Sequence, residues 1–210
     1  MLRTAVLISG GGSNLQALID ASARGETGAS IALVISSEAD ALGLERARRA
    51  GIETAVIDHR ACSCREEFDA AIDETLRARG IELVCLAGFM RILGRAITTG
   101  WQGRMLNIHP SLLPSFKGLH THERAIGAGV KVHGCTVHLV TPELDDGPIL
   151  VQGLVPVLPD DTPPILAARV LEVEHLCYPQ ALASLCAPDR VSPQLLLHPL
   201  LTTDGRVPQS

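Results

Sequence analysis

The stretch that most restricts the fold is VLISGGGSNLQALID, Val6–Asp20: an apolar run, three glycines, Ser-Asn, then residues at helical spacing. An apolar strand entering a helix through glycines builds a loop whose backbone amides can approach an anion. The alternation continues. Thr4–Ser9, Ile31–Ser36, Thr54–Ile57 and Leu83–Ala87 read as strands, with helices at Asn14–Ser22, Ala41–Ala50 and Arg65–Arg79 between them. In the last helix Phe68, Ala71, Ile72, Thr75 and Leu76 form one stripe. Strands apolar on both faces, alternating with helices, imply an α/β fold: a Rossmann-like, mostly parallel twisted sheet with helices on both faces. Ligands of such a sheet bind beyond the carboxyl ends of its strands.

The second half has a different texture. Met105–His109, Cys135–Val140 and Pro148–Val155 read as further strands, separated by long, polar, His-rich connections of the kind that carries function. A helix opens at Asp161 or Thr162 and runs to about Cys186, with proline in its first turn. After Ala187 the chain is rich in proline and polar residues and is expected to form a surface tail. No repeat and no linker interrupts residues 1–210, so a single domain is expected.

Composition narrows the class. A chain that is 46% hydrophobic and 20% charged has the balance of a globular protein. A net charge of −5 argues against broad binding to nucleic acid or to anionic membranes. No apolar run approaches the ~20 residues of a membrane span. The N-terminus MLRTAVLISGGG has no signal-peptide cleavage region, and a cytoplasmic location is expected. Cys85 and Cys135 lie in strand-like runs as small hydrophobes. Cys62 and Cys64 follow His59, but their C-x-C has no second pair at zinc spacing, so no metal is expected.

Which phosphate the glycine loop would hold follows from its neighbours. Gly10 and Gly12 begin G-x-G-x-x-G, but the third position is Leu15, and no Walker lysine follows. Glu38 or Asp40 stands where a dinucleotide's ribose acid would be, although an exposed loop acid is the commoner finding there. A phosphomonoester fits best. Ser13 and Asn14 add side-chain donors and can cap the helix.

The most informative stretch is MLNIHPSLLPSFKGLHTH. Asn107 and His109, two apart on a strand, share a face, and an amide beside an imidazole suits a developing oxyanion. TPELDDGP supplies Asp145 and Asp146 on a loop; a carboxylate near an imidazole favours its charged form and holds its tautomer. That carboxylate can also accept a proton from an attacking amine. His120, His122, His133 and His138 make no H-E-x-x-H or similar spacing. With no G-x-S-x-G and no cysteine–histidine pairing, direct displacement between two bound substrates is the economical chemistry.

These blocks carry a resemblance. LISGGGSNLQALID, GLERARRAGI, LAGFMRIL, LNIHPSLLPSFKGLHTH, GCTVHLVTPELDDGP and EHLCYP together resemble the folate-dependent formyltransferases over almost the whole chain. HPSLLP marks the wider family, and the Gly-Ser-Asn loop with GLHTH points to those acting on glycinamide ribonucleotide in purine synthesis. The resemblance implies a formyltransferase fold and transfer of formyl from 10-formyltetrahydrofolate, the co-substrate, to the glycinamide amine. The phosphate-binding half would be about residues 1–100, and the catalytic and folate-binding half about 101–190. By likeness Asn107, His109 and Asp145 are the catalytic trio, with Asp145 keeping His109 protonated and assisting proton removal. Gly12, Ser13 and Asn14 would hold the phosphate, with Glu174 toward the ribose. Arg65, Met90, Arg91, Ile92, Leu93, Asn107, Thr141, Leu144 and Asp145 would meet the folate. Asp146 departs from relatives with a small residue there; a buried second carboxylate would raise one of the two pKa values. HRACSCREEF and the tail match poorly and are assigned nothing.

Other 10-formyltetrahydrofolate users are the nearest alternatives. The hydrolase carries an added regulatory domain and the enzyme of initiator tRNA a basic C-terminal one, neither of which is expected in this chain. A dinucleotide-dependent oxidoreductase is opposed by Leu15, and an inactive ligand-binding module by the intact trio. A monomer or homodimer without nucleic-acid or membrane partners is expected.

Overall fold

In β1 (Leu2–Ile8) successive side chains point to opposite faces, and both faces are apolar. Val6 and Ile8 enter one core and Ala5 and Leu7 another. A strand buried this way has to sit inside a sheet with helices on both sides. The computed structural model describes residues 1–187 and 194–202. It continues with β2 (Ala29–Ser36), β3 (Glu53–Val56), β4 (Leu83–Leu86), β5 (Met105–His109), β6 (Val132–Leu139), β7 (Ile149–Pro156) and β8 (Gln194–Leu197). They form one sheet in the order β3-β2-β1-β4-β5-β6-β7-β8. β6 alone runs against its neighbours; the other pairings are parallel.

The helices divide between the faces. α1 (Ser13–Ala23), α2 (Leu42–Arg49) and α6 (Pro163–Cys186) supply Leu15, Leu44 and Leu182 to the first core. α3 (Arg65–Ala78) and α4 (Arg95–Gly100) supply Phe68, Ile72, Leu76 and Ile97 to the second, which Trp101 closes. α6 is pinned to the sheet by Tyr178, whose buried hydroxyl donates to the Leu86 carbonyl at 2.9 Å. No described helix is long and apolar enough to cross a membrane.

Three features differ from the sequence reading. The β4–β5 connection contains α4 and the polar β5–β6 connection contains α5 (Thr121–Gly127), helices too short to show a clear apolar period. The segment expected as a surface tail adds β8 to the sheet beside β7, followed by α7 (Pro199–Thr202). Its Leu195 and Leu197 remain exposed, so burial leaves little pattern to read. Finally, α1 is capped by neither Ser13 nor Asn14: Gly12 holds the N-cap position, at left-handed φ of 71°.

The missing glycine at position 15 has a packing cause. Leu15 is fully buried in the first core with Leu18 and Ile19, so the helix needs bulk where a dinucleotide loop needs none. Leu15→Ala is expected to lower the unfolding free energy by about 2–5 kcal/mol, measured by urea denaturation.

Candidate active site

The carboxyl ends of β1, β4 and β5 lie side by side, with Thr4–Leu7 paired to Leu83–Leu86 and Leu86 to Asn107. From them emerge the glycine loop, the Met90–Leu93 strip and His109. On the other side of β5, Asn107 faces His138 and His109 faces Thr136. Directly opposed residues of an antiparallel pair project to the same face, so Asn107, His109 and His138 share one.

The connection from β6 to β7 folds back over that face and brings in Asp145, a buried residue at φ of 50°. Its Oδ2 is 3.4 Å from His109 Nδ1, and its Oδ1 is 3.9 Å from His138 Nε2. The trio expected from sequence is thus assembled. His109 Nε2 donates to the Phe116 carbonyl at 3.0 Å, since a carbonyl only accepts. Asp145 Oδ2 in turn accepts the Gly118 N–H at 3.0 Å. The same short loop therefore touches both the imidazole and the carboxylate.

His138 is the residue that sequence reasoning passed over. Burial holds it below the usual histidine range, so the neutral ring is favoured. Its Nδ1 donates to the Leu139 carbonyl at 3.0 Å, which leaves the Nε2 lone pair to accept from Asn107 Nδ2 at 3.2 Å. That bond uses one amide hydrogen and aims the other. A histidine inside the apolar run CTVHLV was the available signal.

Asp146, the possible second buried carboxylate, is exposed and ion-paired to Lys117. The ammonium holds its carboxyl below the usual range, the opposite of what burial would do. Glu38 is no free ribose acid either. It is mostly shielded, with its carboxylate 2.9 Å from Arg91 and 3.0 Å from Arg60.

The other expected ligands fall into two groups. Over the glycine loop lies a hollow of about 240 Å³, lined by Gly10–Asn14 and closed by Gly88 and Met90. Next to it, Met90 and Ile92 expose apolar side chains while Leu93 is buried. The strip is fixed at both ends: Met90 N–H donates to Ser9 Oγ at 2.9 Å, and Gly94 N–H to Asp69 Oδ2 at 2.7 Å. Exposed Arg65 brings its guanidinium beside Gly94. Thr141 bonds within its own loop, to the Glu143 carbonyl at 3.1 Å, and Leu144 is exposed.

The formyl transferase family profile matches residues 2–182. The chain belongs to the formyltransferase family. Among formyltransferases it is 48% identical over 174 residues to the phosphoribosylglycinamide formyltransferase of Escherichia coli, covering 83% of this chain and 82% of that one. It is 54% identical over 180 residues to the trifunctional purine biosynthetic protein adenosine-3 of Homo sapiens, covering 86% of this chain. It spans only 18% of the length of that trifunctional relative. The solved structure of glycinamide ribonucleotide transformylase 1 from Symbiobacterium toebii superimposes with a TM-score of 0.87 at 50% identity, covering 89% and 88% of the two chains.

In this member of the family the glycine loop is linked to α6 by a buried pair. Asn14 Nδ2 donates to Glu174 Oε2 at 2.7 Å, while Asn14 Oδ1 is buried without a partner. Burial pushes the Glu174 carboxyl up to about 7, only partly offset by the Asn14 bond. The folded form thus binds this proton more tightly than the unfolded chain, whose ordinary value is 4.5. Stability from this group is full below pH 4.5 and declines as pH rises to about 7. Glu174→Gln is therefore expected to stabilise the protein at pH 8, by up to about 3 kcal/mol, with no gain at pH 4. Thermal melts across that range read the effect.

Proposed function

We propose that this chain transfers the formyl group of 10-formyltetrahydrofolate to the amine of glycinamide ribonucleotide. The observation that carries the reading is the convergence of Asn107, His109 and Asp145 beside a glycine loop at the carboxyl ends of the central strands. A phosphomonoester on the amides at Gly12–Asn14 anchors the ribonucleotide at the positive end of α1. Glu174, partnered by Asn14, serves the ribose hydroxyls. The folate lies along Met90–Leu93, whose exposed side chains offer an apolar surface, with Thr141, Leu144 and Asp145 toward its ring head. Arg65 and Arg91 serve its carboxylates.

The amine nitrogen attacks the formyl carbon, forming a C–N bond and a tetrahedral oxyanion. The second hydrogen of Asn107 Nδ2, left free by His138, donates to that oxygen together with His109. For His109 to do so, the formyl oxygen takes the place of the Phe116 carbonyl at Nε2. Asp145 accepts the proton lost by the amine. The proton then reaches the folate nitrogen as its bond to the formyl carbon breaks, which completes the exchange. These donors supply the charge stabilisation, and no metal is proposed. The location proposed is the cytoplasm, in a single domain acting as monomer or homodimer, with small-molecule substrates alone.

Mixing the protein with glycinamide ribonucleotide and 10-formyltetrahydrofolate should release tetrahydrofolate, followed spectrophotometrically; absence of turnover sinks the proposal. His109→Ala is expected to lower kcat on the order of 100-fold or more with KM values little changed. His138→Phe, which keeps the bulk but not the acceptor, is expected to lower kcat roughly tenfold by releasing the Asn107 amide.

A further inference from the structure

Carbonyl oxygens of a phosphate loop have to be turned from the anion, since they repel its oxygens. In this chain α2 ties two of them down. Gly43 N–H donates to the Gly10 carbonyl at 3.0 Å, and Arg46 Nε donates to the Gly11 carbonyl at 2.9 Å. The helix reaches the loop because glycine meets glycine: a Cβ on Gly12 would lie 2.7 Å from Gly43 Cα. Arg46 Nη1 also reaches Gln16 Oε1 on α1, at 3.4 Å, so a single side chain links α2, the loop and the helix whose amides face the ligand.

The charge of Arg46 is the second observation. Arg48 and Arg49, on the same helix, both pair with Glu45. Among the described residues no carboxylate lies within ion-pairing distance of Arg46. Its exposed guanidinium borders a hollow of about 380 Å³ that shares Ser13 with the hollow over the glycines. His175 lines the same space, and its buried Nε2 has no hydrogen-bond partner. A phosphate seated on the Ser13 amide stands at the boundary of the two hollows, and the lining of the larger carries Arg46 and Arg24 against the one carboxylate of Asp20.

We propose that Arg46 is a positioning residue for the ribonucleotide phosphate, holding the Gly11 carbonyl away from the anion while its unpaired guanidinium favours the negative charge. The inference rests on the ribonucleotide reading above and extends it to a side chain on a separate helix. Arg46→Met keeps the stem and removes both donor and charge; Arg46→Lys keeps the charge alone. Glycinamide ribonucleotide is titrated by calorimetry without folate, and tetrahydrofolate is titrated separately.

Arg46→Met is expected to weaken ribonucleotide binding about tenfold or more, with Arg46→Lys between it and the parent. Tetrahydrofolate affinity should stay within about twofold, and the wild-type ribonucleotide affinity should fall more steeply with salt than that of Arg46→Met. Unchanged ribonucleotide affinity in Arg46→Met overturns the inference. So does an equal loss for both ligands, which marks a general disturbance of the cleft. Binding is read without turnover, so a wild-type protein that binds the ribonucleotide but transfers no formyl sinks the reaction and leaves Arg46 to be judged on its own data. A wild-type protein that does not bind it sinks both.

Discussion

The site depends on the register of β5 against β6. With Asn107 opposite His138 and His109 opposite Thr136, an amide and two imidazoles stand on one face. A slip of one residue in either strand would turn its polar side chains into the opposite layer, since the side-chain period of a strand is two. The apolar pairs Leu106–Leu139 and Ile108–Val137, of which only Leu139 is half-buried, oppose that slip, because it would bring histidine or asparagine into their place. Hydrophobic burial on one side of this ribbon thus sets the placing of these polar side chains on the other.

That geometry also fixes the place of Asp145. The residue is buried, and a buried polar group needs hydrogen-bonding partners. Its Oδ2 accepts the Gly118 N–H and faces His109 Nδ1, while Lys117 engages Asp146 instead. The β5–β6 and β6–β7 connections are therefore joined twice, by the Gly118 N–H at Asp145 and by an ion pair one residue later.

Where side-chain periodicity is strong, sequence and structure agree closely. The continuous apolar runs at Val6–Ile8 and Leu83–Leu86 are strands because both faces are buried. The Asn107–His109 spacing placed two members of the trio on one face, and the resemblance named Asp145 as the third. The rest depended on contacts that no periodicity records. His138 matters through the residue across the ladder, Phe116 through its carbonyl, and Glu38 through arginines distant in sequence. α4 and α5 span barely two turns, and β8 exposes two of its leucines, so neither pattern stands out.

β8 pairs with β7 at the end of the sheet, with β6, β5 and β4 between β7 and β1. An end strand has a partner on one side only, so its amides open to solvent by a motion that leaves every inner ladder closed. The glycine loop, the Asn107–His109–Asp145 trio and the Met90–Leu93 strip all belong to β1–β7 and their connections. Fraying at that margin and formation of the reactive cleft are thus separate equilibria, and amide exchange at Leu195–Leu197 can run fast while His109 and Asn107 stay protected.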